Sequence, residues 1–252
     1  MEKHSGITSY YQFTDEGSGT PIILLYGLFG SAKNFLPLRE HLKKKYRVIV
    51  PVFPFFQTGT KADIFSFTEY LHAIITTLNL TKFHLLGNSM GGHIAILYTL
   101  KYPEKIESLI LSGSSGLYEH GLGDTYPRRG DYEYIKTKTQ LTFYKPEIAT
   151  KELVDEIYSI VNSRKALQIV SLAKSTIRNN VEAELHKIDC PSCLIWGMND
   201  TITPPDVAVS FQQFLPKADL YWIDECGHVP MLERPAEFNS ALDTFFQLNG
   251  FV

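Results

Sequence analysis

Three residues far apart in the chain have side chains that together could open an acyl bond: Ser89, Asp200 and His228. Ser89 sits in Gly87-Asn88-Ser89-Met90-Gly91-Gly92, after the apolar run Phe83-His84-Leu85-Leu86 and before a segment of helical period from His93 to Lys101. A serine hydroxyl attacks poorly unless a sharp turn lifts it clear of its neighbours, and flanking glycines remove the side chains that would collide there. The spacing therefore predicts a strand, a strained bend at Ser89 and a helix, with the amide of Met90 at the helix start free to donate to a developing oxyanion. An ordinary glycine-rich strand-to-helix turn is the other reading of these residues. The Gly-Lys-Ser or Gly-Lys-Thr of a phosphate loop is missing, and the glycine spacing is not that of a dinucleotide fold.

A nucleophilic serine needs a base, and the base needs an acid to orient it, in the chain order serine, acid, histidine for a sheet of this kind. Asp200 follows the apolar run Leu194-Ile195-Trp196-Gly197, and His228 follows Tyr221-Trp222-Ile223 through Asp224-Glu225-Cys226-Gly227. Both positions fall just past the C-terminal ends of expected buried strands, the edge where ligands bind in parallel sheets. His84 lies inside an apolar run and His93 at the start of a packing helix, so His228 is the expected base. Each residue also has a plain structural reading: Asp200 as the cap of a helix starting near Pro204 or Pro205, and His228 as a loop histidine. Asp224 competes as the acid, but its closeness to His228 suits a loop-shaping role better.

The elements that must position these groups are short runs of Val, Ile and Leu alternating with helical segments, the pattern of a mostly parallel sheet covered on both faces. Strands are expected at 21–26, 46–50, 83–86, 108–112, 193–196 and 220–223, all in the sheet interior, with an edge strand over 7–13. Packing helices are expected at 65–80 and 235–248. Between 116 and 185 the alternation stops, and a polar, tyrosine-rich stretch with helices at 151–161 and 166–175 takes over. The expected organisation is a core of residues 1–115 and 186–252 carrying a helical cap at 116–185.

The chain has 252 residues, 44% of them hydrophobic and 20% charged, enough to build one large core. A formal charge of -3 gives no field that would gather nucleic acid, and no apolar run is long enough to span a bilayer. The start shows no signal-peptide core, and three cysteines make an odd set, so a cytoplasmic protein acting on a small molecule is expected. Cys190-Pro191-Ser192-Cys193 reads as two ordinary thiols entering a strand, and no clustered ligand set calls for a metal or cofactor. Oligomeric state is not encoded in any pattern here.

Gly87-Asn88-Ser89-Met90-Gly91-Gly92, Trp196-Gly197-x-x-Asp200-x-x-x-Pro204 and Gly227-His228-x-Pro230-x-x-Glu233-x-Pro235 together resemble the nucleophile, acid and base motifs of the α/β-hydrolase superfamily. The resemblance implies an α/β fold, a mostly parallel sheet of about eight strands with helices on both faces and a helical cap inserted after the sixth strand. It also implies a serine esterase with a catalytic triad of Ser89, Asp200 and His228 and an oxyanion hole built from the amides of Leu28 and Met90. The expected reaction is hydrolysis of a small apolar or aromatic ester through an acyl-enzyme. A serine at the bend speaks against dehalogenase and epoxide-hydrolase chemistry, for which this family places an aspartate there.

A narrower resemblance, at Asn88 to Gly92 and at Asn162-Ser163-Arg164, is to hydrolases that split carbon-carbon bonds in ring-fission products. It implies Arg164 as a carboxylate ligand, since guanidinium pairs with two carboxylate oxygens, although Val229 stands where those enzymes tend to have tryptophan. Two departures from the wider family bear on the pocket. Tyr26 opens the loop Tyr26-Gly27-Leu28-Phe29-Gly30 in place of the usual histidine, and Pro51-Val52-Phe53-Pro54-Phe55-Phe56-Gln57 replaces an aspartate and a glycine turn with apolar bulk. Phe53, Phe55 and Phe56 are read equally as core or as pocket wall. Candidate substrate contacts are thus Tyr26, Asn88, Phe53, Arg164 and Val229. A third reading keeps the three chemical residues in a ligand-binding protein with little turnover.

Overall fold

The apolar runs pair into one sheet in a computed structural model that describes residues 4–8, 11–56, 61–119 and 128–251. The strands are β1 His4–Thr8, β2 Tyr11–Gly17, β3 Pro21–Leu25, β4 Arg47–Pro51, β5 Phe83–Asn88, β6 Ile106–Ser112, β7 Ser192–Gly197 and β8 Ala218–Ile223. Their order across the sheet is β1-β2-β4-β3-β5-β6-β7-β8. Every neighbouring pair from β4 to β8 is parallel, whereas β2 runs antiparallel to β4. Six strands, β3 to β8, make the parallel body, and β2 and then β1 extend one edge as antiparallel partners.

The helices are α1 Leu36–Leu42, α2 Ile64–Thr77, α3 Met90–Lys101, α4 Tyr132–Gln140, α5 Lys151–Val161, α6 Ala166–Arg178, α7 Pro205–Phe214, α8 Pro230–Glu233 and α9 Pro235–Leu248. Successive residues of a strand face opposite sides, which is why both faces of this sheet need cover. In β5, Phe83 packs on Tyr98 of α3, while His84 packs on Phe246 of α9. The β5 strand is buried along its whole length. Between β6 and β7 the chain forms α4, α5 and α6, with no strand among the described residues. No helix among the described residues is long and apolar enough to cross a membrane.

Two expectations change. The strand at 220–223 is not interior: β8 closes the sheet, and with no further strand beside it among the described residues Leu220, Tyr221 and Trp222 stay partly exposed. The segment 7–13 is not one strand, because the chain reverses within it and pairs Thr8 with Tyr11, while β2 continues through Asp15 and Glu16 into Gly17.

Candidate active site

At the end of β5 the chain turns through Ser89 with φ 56° and ψ -127°, in the left-handed region that costs a residue with a β-carbon of order 1–3 kcal/mol. Hydrogen bonds hold it there. Its N–H donates to the Ser112 carbonyl at 3.1 Å, and its carbonyl accepts from Gly92 at 2.9 Å, His93 at 3.3 Å and Ser115 at 3.1 Å. The turn also requires bare backbone around it. A β-carbon on Gly91 would lie 2.2 Å from the Leu25 carbonyl oxygen, so only glycine lets α3 start this close to β3. One on Gly27 would lie 2.8 Å from the Ser89 β-carbon and 3.2 Å from its hydroxyl oxygen. The loop after β3 therefore presses directly on Ser89. Among the described residues neither the next amide in that loop, Leu28, nor the first amide of α3, Met90, has a hydrogen-bond partner.

Asp200 lies three residues beyond β7. Its Oδ1 accepts from the amides of Ile202 at 2.8 Å and Thr203 at 3.0 Å, and its Oδ2 accepts from the Thr203 hydroxyl at 2.9 Å. The Trp196 indole fixes this loop from below by donating to the Thr203 carbonyl at 2.8 Å. Asp200 does not cap α7, whose N-cap is Pro204 with no side-chain bond. His228 Nδ1 faces Asp200 Oδ2 at 2.8 Å and the Thr203 hydroxyl oxygen at 3.3 Å. Both partners are nearly closed to water, with 3% and 5% exposure for Asp200 and His228. Burial pulls the His228 pKa down, but the charge and hydrogen bond of Asp200, with Glu119 and Glu233 behind them, outweigh it and raise it above 6.5. With Nδ1–H committed to the carboxylate, Nε2 is the nitrogen that can take a proton. Among the described residues no hydrogen bond joins the Ser89 hydroxyl to His228.

Asn88 ties the two halves of the site together. Its amide donates to the Ser112 carbonyl at 2.9 Å and to the His228 carbonyl at 3.0 Å, so it is occupied in bridging β6 and the histidine loop. That loop is further held by Glu233 of α8, which accepts from the amides of Gly227 at 3.0 Å, Val229 at 3.1 Å and Tyr144 at 2.8 Å. Tyr144 belongs to a ledge after α4 that also takes the His228 N–H on the Thr142 carbonyl at 2.9 Å and the Thr201 hydroxyl on the Leu141 carbonyl at 2.8 Å. Asp224 is exposed and accepts from the Glu225 amide at 2.8 Å, shaping its own turn.

The other expected contacts lie in varied settings. Tyr26 is 4% exposed, and its hydroxyl accepts from the Phe53 amide at 2.9 Å. Its ring meets Phe53 and Phe55 edge-on with centroids 6.0 and 5.9 Å away. Burial pushes the Tyr26 hydroxyl up to about 12. Phe53 and Phe55 are core residues, and Phe56 is partly buried against them. Val229 is buried at the start of α8. Arg164 is exposed in the turn between α5 and α6. The sequence reading did not single out Thr203 or Glu119 and gave Glu233 no role. For Glu233 a signal existed: Pro230 starts a helix right after His228, which turns a residue five positions on back toward the loop. Glu119 accepts from the Ser115 hydroxyl at 2.8 Å and the Thr176 hydroxyl at 3.2 Å, and no spacing in the sequence announces this.

Comparison with known proteins bears on this geometry. A family model described as alpha/beta hydrolase fold matches residues 20–132 and 118–235. Lipase 3 of Moraxella sp. (strain TA144) is 27% identical over 247 residues, covering 91% of this chain and 78% of that protein. A 2-hydroxy-6-oxononadienedioate/2-hydroxy-6-oxononatrienedioate hydrolase of Burkholderia vietnamiensis (strain G4 / LMG 22486) is 26% identical over 266 residues, covering 93% of this chain and 90% of its own. The crystal structure of MGS-MChE2, an alpha/beta hydrolase enzyme from the metagenome of sediments of the Mar Chica lagoon, Morocco, superimposes with a TM-score of 0.82. It shares 36% identity, and the match covers 98% of this chain and 99% of that one.

Proposed function

The chain belongs to the α/β-hydrolase family, and from that premise we propose that it is a serine hydrolase cleaving the carboxylic ester of a small apolar or aromatic acyl group. His228 Nε2 takes the Ser89 proton as the hydroxyl oxygen attacks the ester carbonyl. The amides of Leu28 and Met90 receive the oxyanion, and Asp200 holds the imidazolium that forms. Collapse of the tetrahedral adduct expels the alcohol, which takes the proton from His228. Water activated by the same imidazole then releases the acid from Ser89. The observation that supports this most strongly is the pairing of a strained Ser89 turn with a buried His228–Asp200 contact of 2.8 Å on the neighbouring loops. We assign residues 116–185 as a cap over a core of 1–115 and 186–252.

The test is an aryl-ester screen across acyl lengths with Ser89→Ala as the blank, together with labelling by a fluorophosphonate. Ser89→Ala should lower kcat/KM on the order of 10⁴-fold or more and abolish labelling. Unchanged turnover in the variant sinks the reading, and a folded wild-type protein that stays unlabelled points to a ligand-binding role instead.

Carbon-carbon cleavage is the second reading, favoured by the relative named for a ring-fission product and by the Asn88 to Gly92 match. The exposed position of Arg164 weighs against it, because a carboxylate ligand gains most when water is excluded. Turnover of a vinylogous diketone that is lost in Arg164→Ala, with ester turnover retained, would reverse this preference.

A further inference from the structure

Glu119 has no role in the proposed acyl transfer and is half-buried, at the end of the described segment that follows β6. It hangs between the segment after β6 and the inserted helix α6, accepting from the Ser115 hydroxyl at 2.8 Å and sharing the proton of the Thr176 hydroxyl, 3.2 Å away, with the Ala173 carbonyl at 2.9 Å. Ser115 also donates its N–H to the Ser89 carbonyl at 3.1 Å, so two hydrogen-bonded steps link the carboxylate to the nucleophilic residue. Its charge is felt at His228. Among the described residues no lysine, arginine or histidine pairs with it, and both of its partners are neutral. A carboxylate with hydroxyls alone for company keeps an unbalanced negative charge, which attracts a cation brought to it. The other charges acting on His228, those of Asp200 and Glu233, are negative too. Arg164, the one cation with an expected substrate role, lies exposed in the turn between α5 and α6.

Building on the Ser89 reading, we propose that Glu119 is a specificity-determining residue that makes the pocket prefer substrates carrying a protonated amine over neutral ones, and neutral ones over those carrying a carboxylate. Its carboxylate pairs with the ammonium group, and Ser115 and Thr176 hold it in place. The same charge repels a dicarboxylate ring-fission product.

Two measurements test this. In the first, matched aryl esters ending in an ammonium, a methyl or a carboxylate group, on the acyl or the alcohol side, are compared by kcat/KM. The wild-type protein should favour ammonium over carboxylate by about tenfold or more on at least one side, less so at high salt, and Glu119→Gln should bring the ratio close to one. In the second, 3-phenylpropylammonium and 3-phenylpropanoate are titrated calorimetrically into the Ser89→Ala protein, which needs no turnover. The ammonium should bind about tenfold more tightly, and adding Glu119→Gln should remove the difference. Salt sensitivity of the wild-type ratio stands in if the Gln variant fails to fold. Equal binding, tighter carboxylate binding or no binding of either overturns the proposal whether or not the protein is an esterase. A charge preference in binding without Ser89-dependent ester turnover overturns the esterase reading and leaves Glu119 its role.

Discussion

Two opposed influences meet on His228: burial disfavours its charged form, and the carboxylate of Asp200 2.8 Å away favours it. The net rise has a kinetic consequence with a definite sign. The proposed base works only when neutral, so kcat/KM should fall as pH drops through a limb lying above 6.5. Asp200→Asn removes the raising influence and leaves burial, so its limb should move below that of the wild type. Its kcat should fall on the order of 10³- to 10⁴-fold, because the imidazole loses its orienting partner. A pH-rate profile of the two proteins decides this, and a limb that stays put rejects the account. Tyr26 makes a second prediction. Tyr26→Phe leaves the buried Phe53 amide without an acceptor and should cost about 1–2 kcal/mol in denaturant unfolding, with Ser89 labelling retained. The placement of Ser89, Asp200 and His228 just past strand ends was legible because each follows an apolar run that forms a strand, and the C-terminal ends of parallel strands gather at one edge. Asn88 was read as a substrate contact, whereas its amide is spent on the carbonyls of Ser112 and His228. Backbone carbonyls from remote segments leave no mark in a sequence, so that bridge was beyond reach.

The loop holding His228 is fixed less by its own residues than by α8 and by the ledge after α4. Glu233 gathers three amides from both, those of Gly227, Val229 and Tyr144. Glu233→Ala should therefore destabilise the fold by about 2 kcal/mol, since amides with no acceptor are left behind. It should also lower kcat about tenfold or more while KM changes little, because the base is displaced and the pocket is not. Thermal unfolding and steady-state kinetics on the same sample check this, and a KM effect alone would contradict it. Elements were legible where periodicity was long and unambiguous: α9 and α5 run over 235–248 and 151–161 as expected. They were misread where neighbours decide. The residues of β8 are as apolar as those of an interior strand, and only its place at the end of the strand order among the described residues makes it an edge. The strands β1 and β2 were merged into one because no glycine or proline separates Thr8 from Tyr11 in the sequence.

Two buried histidines outside the site tie the fold as a whole to pH. His84 lies in the sheet with its Nδ1 2.8 Å from the Ser108 hydroxyl oxygen, packed among Tyr46, Phe246 and Phe251. Among the described residues neither ring nitrogen of His93, at the start of α3, has a hydrogen-bond partner. Burial pushes both down to about 4. Between pH 6.5 and about 4 the unfolded chain therefore takes up protons that the folded chain refuses, and stability falls as pH falls across that window. His228 works the other way. Its contribution is complete below 6.5 and is lost as pH rises through its raised folded value, so the histidine share of stability peaks near pH 6.5. Urea unfolding should show a loss between pH 6.5 and 4.5, and His84→Gln should reduce that loss by about 2 kcal/mol. An unchanged loss in the variant would remove His84 from the explanation. The ledge at 141–144 has a wider consequence for how the molecule admits a substrate. Its carbonyls accept from the His228 amide and from the Thr201 hydroxyl beside Asp200, so lifting the inserted helices at that end would disturb the loops of both base and acid. Opening at that end and readiness to react exclude each other, so the proposed base keeps its position only while the ledge stays closed.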